Sequence, residues 1–269
     1  MTRILFVGDL HTKTFLLPLI DKAARKHKPD RIICLGDYMD DWNISSTENY
    51  ESAQKIFKWA HRCGNVALLF GNHDMGYYSG ACDCSGNDYA ILPQVQKLFT
   101  ENFDLLKVAE SSDNWLFTHA GLTKNWARKY IGMPTTAGQA AKLLNNLLDS
   151  PKGMQELQAV GRYRGGFDWP SPLWADWAEL NGDPCPDINQ ITGHTPQRTC
   201  QQNTSCNGER LWCCDTFSTY GNGDHLGDGS MLLLDTEATG EAGGLTGRGI
   251  VQKVEQPDGI AFRAGYRKP

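Results

Sequence analysis

The first seventy residues leave few folds open. Three short apolar runs, RILFVG at 3–8, RIICLG at 31–36 and NVALLFG at 65–71, each stop at a glycine. The stretches between them, 15–27 and 48–62, carry apolar residues at helical spacing. Short apolar runs of this kind read as buried strands. The longer periodic stretches read as helices, the first closing in a basic turn. Such a βαβαβ alternation argues for an α/β fold with parallel pairing. Each strand hands over at once to an acid or an amide: Asp9, Asp37 and Asn72.

Beyond residue 74 the pattern changes. Residues 75–88, rich in Gly, Tyr, Ser, Asp and Cys, read as a long surface loop. A helix is expected over 88–101, strands over 105–109 and 114–118, and a helix over 135–149 capped by Thr135 or Thr136. The Pro-, Trp- and Gly-rich stretch 150–188 reads as a long irregular crossing, and loops of that length usually serve function or lack order. Strands are expected again at 189–193, 210–214 and 230–235, with weaker ones at 248–254 and 260–264. The Gly/Thr/Ala-rich segment 237–247 reads as a loop. No internal repeat and no Pro/Ser/Gly linker divides the 269 residues, so one domain over 1–269 is expected.

Charge and composition narrow the partners. A net charge of −5 gives no basic face for duplex nucleic acid or an anionic membrane, so long nucleic acid and membranes are not expected partners. The apolar run Ile4 to Val7 is too short for a signal peptide. No stretch approaches the ~18 apolar residues of a membrane span. The expected place is the cytoplasm. The nine cysteines are odd in number and include no CxxC pair. Reduced thiols are therefore expected, rather than a disulfide framework or a zinc ribbon.

Five segments, each just past an expected strand, hold the chemistry: GDLH with Asp9 and His11, GDYMDD with Asp37 and Asp40, GNHD with Asn72, His73 and Asp74, THAG with His119, and GHTP with His194. Singly, each is ordinary. An Asp after a strand often caps the next turn or helix, and GD or GN pairs are common turn chemistry. Jointly they point to one place, because ligands of α/β sheets bind outside the carboxyl ends of the strands. Imidazole and carboxylate without thiolate suit zinc, iron, manganese and similar ions. A two-metal site needs a bridging carboxylate. Asp9, His11 and a bridging Asp37 would serve one ion, and Asp37, Asn72, His119 and His194 the other. The ions would share a water acidified toward hydroxide near neutral pH.

In its order and residues, the set DxH, GDxxD, GNHD, THAG, GHTP resembles the calcineurin-like metallophosphoesterases over residues 4–235. Its last two members are similar to those of the branch holding protein serine/threonine phosphatases and symmetrical diadenosine tetraphosphate hydrolases. The resemblance implies an α/β fold, a four-layer α/β/β/α sandwich with mixed sheets. It implies a metal-dependent phosphoric ester hydrolase with two divalent ions, manganese first, with iron, zinc, nickel or cobalt as alternatives. Carried over by motif position, the metal ligands are Asp9, His11, Asp37, Asn72, His119 and His194. His73 becomes the general acid for the leaving oxygen, and Asp40 the residue that orients it and favours its charged form.

Two departures matter. Other branches close with GHxH, whereas here Gly193-His194-Thr195-Pro196 supplies one histidine, leaving water to complete the first ion. Where the branch has a phosphate-clamping Arg after GDxxD, this chain has Asp41. Asp cannot grip phosphate as Arg does. The replacements are Arg164 and Arg162 of GRYRGG, with Arg164 preferred because it abuts Gly165-Gly166. Trp169, Trp174 and Trp177 suggest base stacking, although packing is the commoner role of such residues. The substrate classes implied are a phosphorylated small molecule (monoester or diester), a nucleotide polyphosphate and a phosphoprotein. The alternative is a non-catalytic scaffold of the same fold that binds a protein partner.

Overall fold

In the computed structural model, which describes residues 2–80, 84–242 and 245–254, the three apolar runs form the centre of a mixed sheet. β1 (Arg3–Val7), β2 (Arg31–Cys34) and β3 (Val66–Leu69) pair in parallel, Leu5 opposite Ile32 and Ile33 opposite Ala67. β4 (Leu106–Lys107) extends the sheet in parallel beside β3. On the other flank, β10 (Met231–Ala242) and β11 (Leu245–Val254) add antiparallel strands beside β1. A second sheet runs β5 (Ala109–Ser112), β6 (Trp115–Thr118), β7 (Asn189–Thr192), β9 (Arg210–Cys213) and β8 (Gln201–Thr204). In it β6, β7 and β9 are parallel and the outer two strands antiparallel.

Alternation along each strand sorts side chains between two layers. Ile4, Phe6, Ile33, Leu35, Ala67 and Leu69 of the first sheet meet Trp115, Phe117 and Ile191 of the second in one buried cluster. The rings of Phe6 and Phe117 lie 4.6 Å apart there. The intervening residues, among them Leu5, Val7, Ile32 and Cys34, belong to the core shared with the helices. α1 (Leu17–His27) and α2 (Ser46–Cys63) supply Ile20, Ile56 and Phe57 to that core. α6 (Ala137–Asn146) packs on β5 and β6. The result is the expected mixed α/β sandwich of two mixed sheets with helices outside.

Several local expectations need correction. The segment 75–88 is not all loop, because α3 (Asn72–Ser79) runs through its first part. Asp74 starts this helix by reaching back to the Gly71 N–H, and Gly80, at φ 65°, stops it. Composition hid those two signals. The stretch expected as one strand at 105–109 is two, β4 and β5, in different sheets, so the chain changes sheets at Val108. Residues 237–247 lie largely in β10 and β11 rather than in a loop. The crossing 150–188 contains α7 (Pro151–Glu156) and α8 (Trp177–Gly182), capped by the side chains of Ser150 and Asp176. α4 (Leu92–Glu101) fills the expected 88–101 helix, and Thr136 is the cap of α6. α5 (Lys124–Tyr130) and β8 were not foreseen: one is short, the other a polar, mostly exposed edge strand. The strand expected at 260–264 lies outside the described residues. Among those residues no helix is long and apolar enough to cross a membrane.

The inter-sheet cluster should carry much of the stability. Phe117→Ala, at a fully buried ring packed on Phe6, should lower unfolding free energy by about 3–5 kcal/mol. Equilibrium urea unfolding measures this, and a loss below ~1 kcal/mol would show that the sheets do not depend on this contact.

Candidate metal centre

The parallel strands of both sheets end at one edge, and the five sequence segments meet there. Asp9 follows β1, Asp37 follows β2, Asn72 opens α3 after β3, His119 follows β6 and His194 follows β7. Tight turns deliver them. His11, Asp37, Asp40 and His194 all have positive φ, at 38°, 52°, 62° and 65°. Non-glycine residues hold such angles at a cost, and they gather at functional sites. Gly36, at φ 113°, allows the closest approach: a Cβ there would lie 2.6 Å from Gly71 N and 2.8 Å from His119 Nδ1.

Backbone carbonyls fix the imidazoles. His119 Nδ1 lies 2.7 Å from Leu35 O, so this nitrogen carries the hydrogen and Nε2 keeps a lone pair. Around that lone pair stand Asn72 Oδ1 at 2.9 Å, Asp37 Oδ2 at 3.4 Å and His194 Nδ1 at 3.0 Å. One proton from His194 serves one of these contacts at most. The two oxygens then face a lone pair with nothing to share. His194 Nε2 is buried and has no hydrogen-bond partner. In the same way, His11 Nδ1 points at Asp40 O (2.7 Å) and Met39 O (3.0 Å), leaving Nε2 toward Asp37 Oδ2 at 3.6 Å.

Ligating atoms of Asp37, His119 and His194 lie within 4.8 Å of one another, as do those of His11, Asp37 and His73. The first of these, fully buried and made of acceptors, fits a cation. Asp9 belongs to neither group. Its two carboxylate oxygens accept from the His194 N–H at 3.1 Å.

Electrostatics separates the histidines. Burial holds His11 and His194 well below the usual imidazole range and takes His119 down to about 3. These rings are neutral and keep their lone pairs. Burial also acts to lower His73, but the Asp37 and Asp40 carboxylates outweigh it and raise this ring to about 9. His73 Nδ1 donates to Asp40 Oδ2 at 2.8 Å. Burial, and then neighbouring carboxylates, push Asp9 well above the ordinary range, and burial raises Asp37 despite the nearby His73.

The surrounding residues were less legible. Asp40 takes hydrogen bonds from Tyr77 OH (2.6 Å), Asn49 Nδ2 (2.9 Å) and Asn87 Nδ2 (2.8 Å) besides His73. Nothing in the spacing of residues 49, 77 and 87 marks them. Asp215 follows β9 and is buried beside Asp9; its position after the run RLWCC was a sixth strand-end signal that sequence reasoning left unused. Lys13 is also buried, and its Nζ pairs with Asp41 at 3.0 Å, so the residue in the expected Arg position is itself neutralised.

Arg164 reaches the site edge. Its Nη2 lies 3.2 Å from both Thr195 Oγ1 and Asp176 Oδ2, and its charge helps to lower His119 and His194. Arg162, on the same turn, is exposed. Trp174 packs edge-on to His194 with ring centres 6.1 Å apart, and the Trp177 N–H donates to Thr195 Oγ1 at 2.9 Å. Trp169 departs from the packing expectation and is 50% exposed.

Asp74 ties two of the strand ends together. Its oxygens accept from Asp37 N (2.7 Å), Gly71 N (2.9 Å) and Tyr38 N (2.9 Å). Asp74→Asn would set an NH₂ against one of these buried N–H groups. The expected loss is about 1–3 kcal/mol, together with weaker metal uptake. Thermal unfolding and metal analysis measure both, and an Asn variant that matches the wild type in each would refute the anchoring role.

Known proteins agree with this architecture. Residues 2–198 match the calcineurin-like phosphoesterase family. No curated protein matches the sequence. A cold-active protein-tyrosine phosphatase from a psychrophilic Shewanella shares 18% identity over 87% of this chain and 75% of its own, with a TM-score of 0.54. A metallophosphoesterase from Sphaerobacter thermophilus shares 14% identity over 95% of this chain and 88% of its own, with a TM-score of 0.42. At 18% identity the Shewanella structure speaks for the fold alone. The family match covers most of the chain and all five segments, and the chain belongs to the calcineurin-like phosphoesterase family of metal-dependent phosphoric ester hydrolases.

Proposed function

We propose that this protein is a two-metal phosphoesterase acting on a phosphomonoester, a phosphodiester or a nucleotide polyphosphate. The observation that carries the reading is the knot of acceptors around His119 Nε2, where Asn72 Oδ1, Asp37 Oδ2 and His194 Nδ1 converge without protons enough to satisfy them. Asp37, Asn72, His119 and His194 would hold one divalent ion. His11 and Asp37, with Asp9 beside them, would hold the other. This donor set accepts manganese and equally iron, zinc, nickel or cobalt. Bound there, the ions would acidify a shared water and draw off charge gathering on the phosphoryl group.

The protein's own groups supply the rest. His73 keeps its proton at neutral pH because Asp37 and Asp40 favour the charged ring. With Nδ1 tied to Asp40, its other N–H serves a leaving oxygen as general acid. Arg164, held beside Thr195, offers a planar guanidinium suited to phosphate; exposed Arg162 is the lesser candidate. The scaffold reading loses ground, because no residue of the set is missing. A cytoplasmic setting belongs to the same proposal.

The test uses purified protein with manganese on p-nitrophenyl phosphate, its bis ester and diadenosine tetraphosphate. A phosphotyrosine peptide completes the panel, since one of the similar structures bears a tyrosine phosphatase name. His73→Asn should lower kcat by about 10²–10⁴-fold while metal content stays at two ions. Asp37→Asn should lose both turnover and metal, and chelation of the wild type should be reversed by added manganese. Full turnover in His73→Asn, or unchanged metal content in Asp37→Asn, would overturn the assignment.

A further inference from the structure

Residues 84–88 lie against the metal centre. Cys84 is 6% exposed, and its Sγ lies 3.3 Å from Asn72 O and 3.5 Å from Asn72 Nδ2. A thiol has one hydrogen to give and lone pairs to receive. The S–H therefore donates to the Asn72 carbonyl, and the Asn72 side-chain N–H donates to sulfur. Both the backbone and the side chain of one candidate ligand are pinned by a single atom.

That matters because an asparagine amide has two ends of almost equal shape and opposite chemistry. Only the oxygen end can bind a cation. With Nδ2 engaged by sulfur, Oδ1 is the end that stands 2.9 Å from His119 Nε2. Turned over, the amide would aim its N–H groups at the cation's place and its oxygen at the sulfur lone pair.

The same segment also holds the His73 side of the site. The Cys84 N–H donates to Asn87 Oδ1 at 2.8 Å, and Asn87 Nδ2 donates to Asp40 Oδ2 at 2.8 Å. The Asp88 N–H donates to Tyr77 OH at 2.6 Å, and that hydroxyl donates to Asp40 Oδ1 at 2.6 Å. Residues 84–88 thus connect Asn72 to the carboxylate that holds His73.

We propose that Cys84 is a positioning residue of the metal centre, whose thiol sets the Asn72 amide with its oxygen toward the ion shared with His119 and His194. This rests on the two-metal reading above. Groups that orient a metal ligand typically change metal affinity by about 10–100-fold when removed. The experiment titrates metal-free wild type, Cys84→Val and Cys84→Ser with manganese by calorimetry and records the visible spectrum of each cobalt-loaded protein. Valine fills the place with a somewhat larger apolar side chain that can neither give nor accept a hydrogen bond, while serine does both.

Wild type should take up two ions. Cys84→Val should bind one of them about 10–100-fold more weakly, leave the other unchanged, and alter the cobalt spectrum. Cys84→Ser should stay within a few-fold of wild type. Valine binding both ions as tightly as wild type overturns the proposal, and so does serine binding as weakly as valine. Should the valine protein fail to fold by circular dichroism, Cys84→Ala gives the same comparison. Wild type that takes up fewer than two ions overturns the two-metal reading itself, and this proposal with it.

Discussion

Everything at the strand edge follows from the cost of burying carboxylates together. Asp9, Asp37, Asp40, Asp74 and Asp215 are all almost fully shielded from water. An ionised carboxylate in such a place must be paired or hydrogen-bonded. Asp74 meets the need with three backbone N–H groups, and Asp40 with side-chain donors and the His73 ring. Asp9 has one N–H, from His194. Asp37 takes the His73 N–H on one oxygen, while its other oxygen faces imidazole lone pairs. Asp9 and Asp37 are thus the carboxylates least compensated by protein, and Asp37 stands at the knot of acceptors. A divalent ion is the compensation its surroundings call for.

The two sheets make that concentration geometrically achievable. Each brings parallel strands to the same edge, and the layer between them is apolar and closely packed, as the contact of Phe6 with Phe117 shows. Loops from both sheets can then meet face to face. The positive φ angles of His11, Asp37, Asp40 and His194 reflect how sharply those loops must turn. Such strain persists only where the surroundings over-determine it. Here the Leu35 carbonyl holds His119, the Asp40 carbonyl holds His11, and Asp74 bonds to the backbone at both Asp37 and Gly71.

What could be read from sequence was what repeats: apolar runs, helical periodicity and a glycine with an acid or amide at each strand end. This gave β1, β2 and β3 with the helices between them, and it gathered Asp37, Asn72, His119 and His194 as neighbours. The change of sheet at Val108 was hidden, because nothing local distinguishes a strand from two strands in different layers. The helix through Asp74 was hidden by polar composition. Residues that act on Asp40 or Asn72 through side-chain hydrogen bonds, such as Asn49, Tyr77, Asn87 and Cys84, leave no periodic mark. Their partners lie 9 to 47 positions away, so only the folded chain joins them.

The histidines show most plainly how one small site sets two like groups apart. His119 and His73 are both deeply placed, and burial disfavours the charged ring of each. They differ in what their nitrogens meet. His119 gives its single hydrogen to the neutral Leu35 carbonyl, which cannot offset burial, so the ring stays neutral and keeps a lone pair. His73 gives its hydrogen to the Asp40 carboxylate and lies beside Asp37, so the ring stays protonated. Environments that drive two like groups apart in this way sort them into separate roles. On the function proposed above, the neutral ring would face the cation and the charged ring the departing oxygen. The partner of each ring, a carbonyl in one case and a carboxylate in the other, settles which is which.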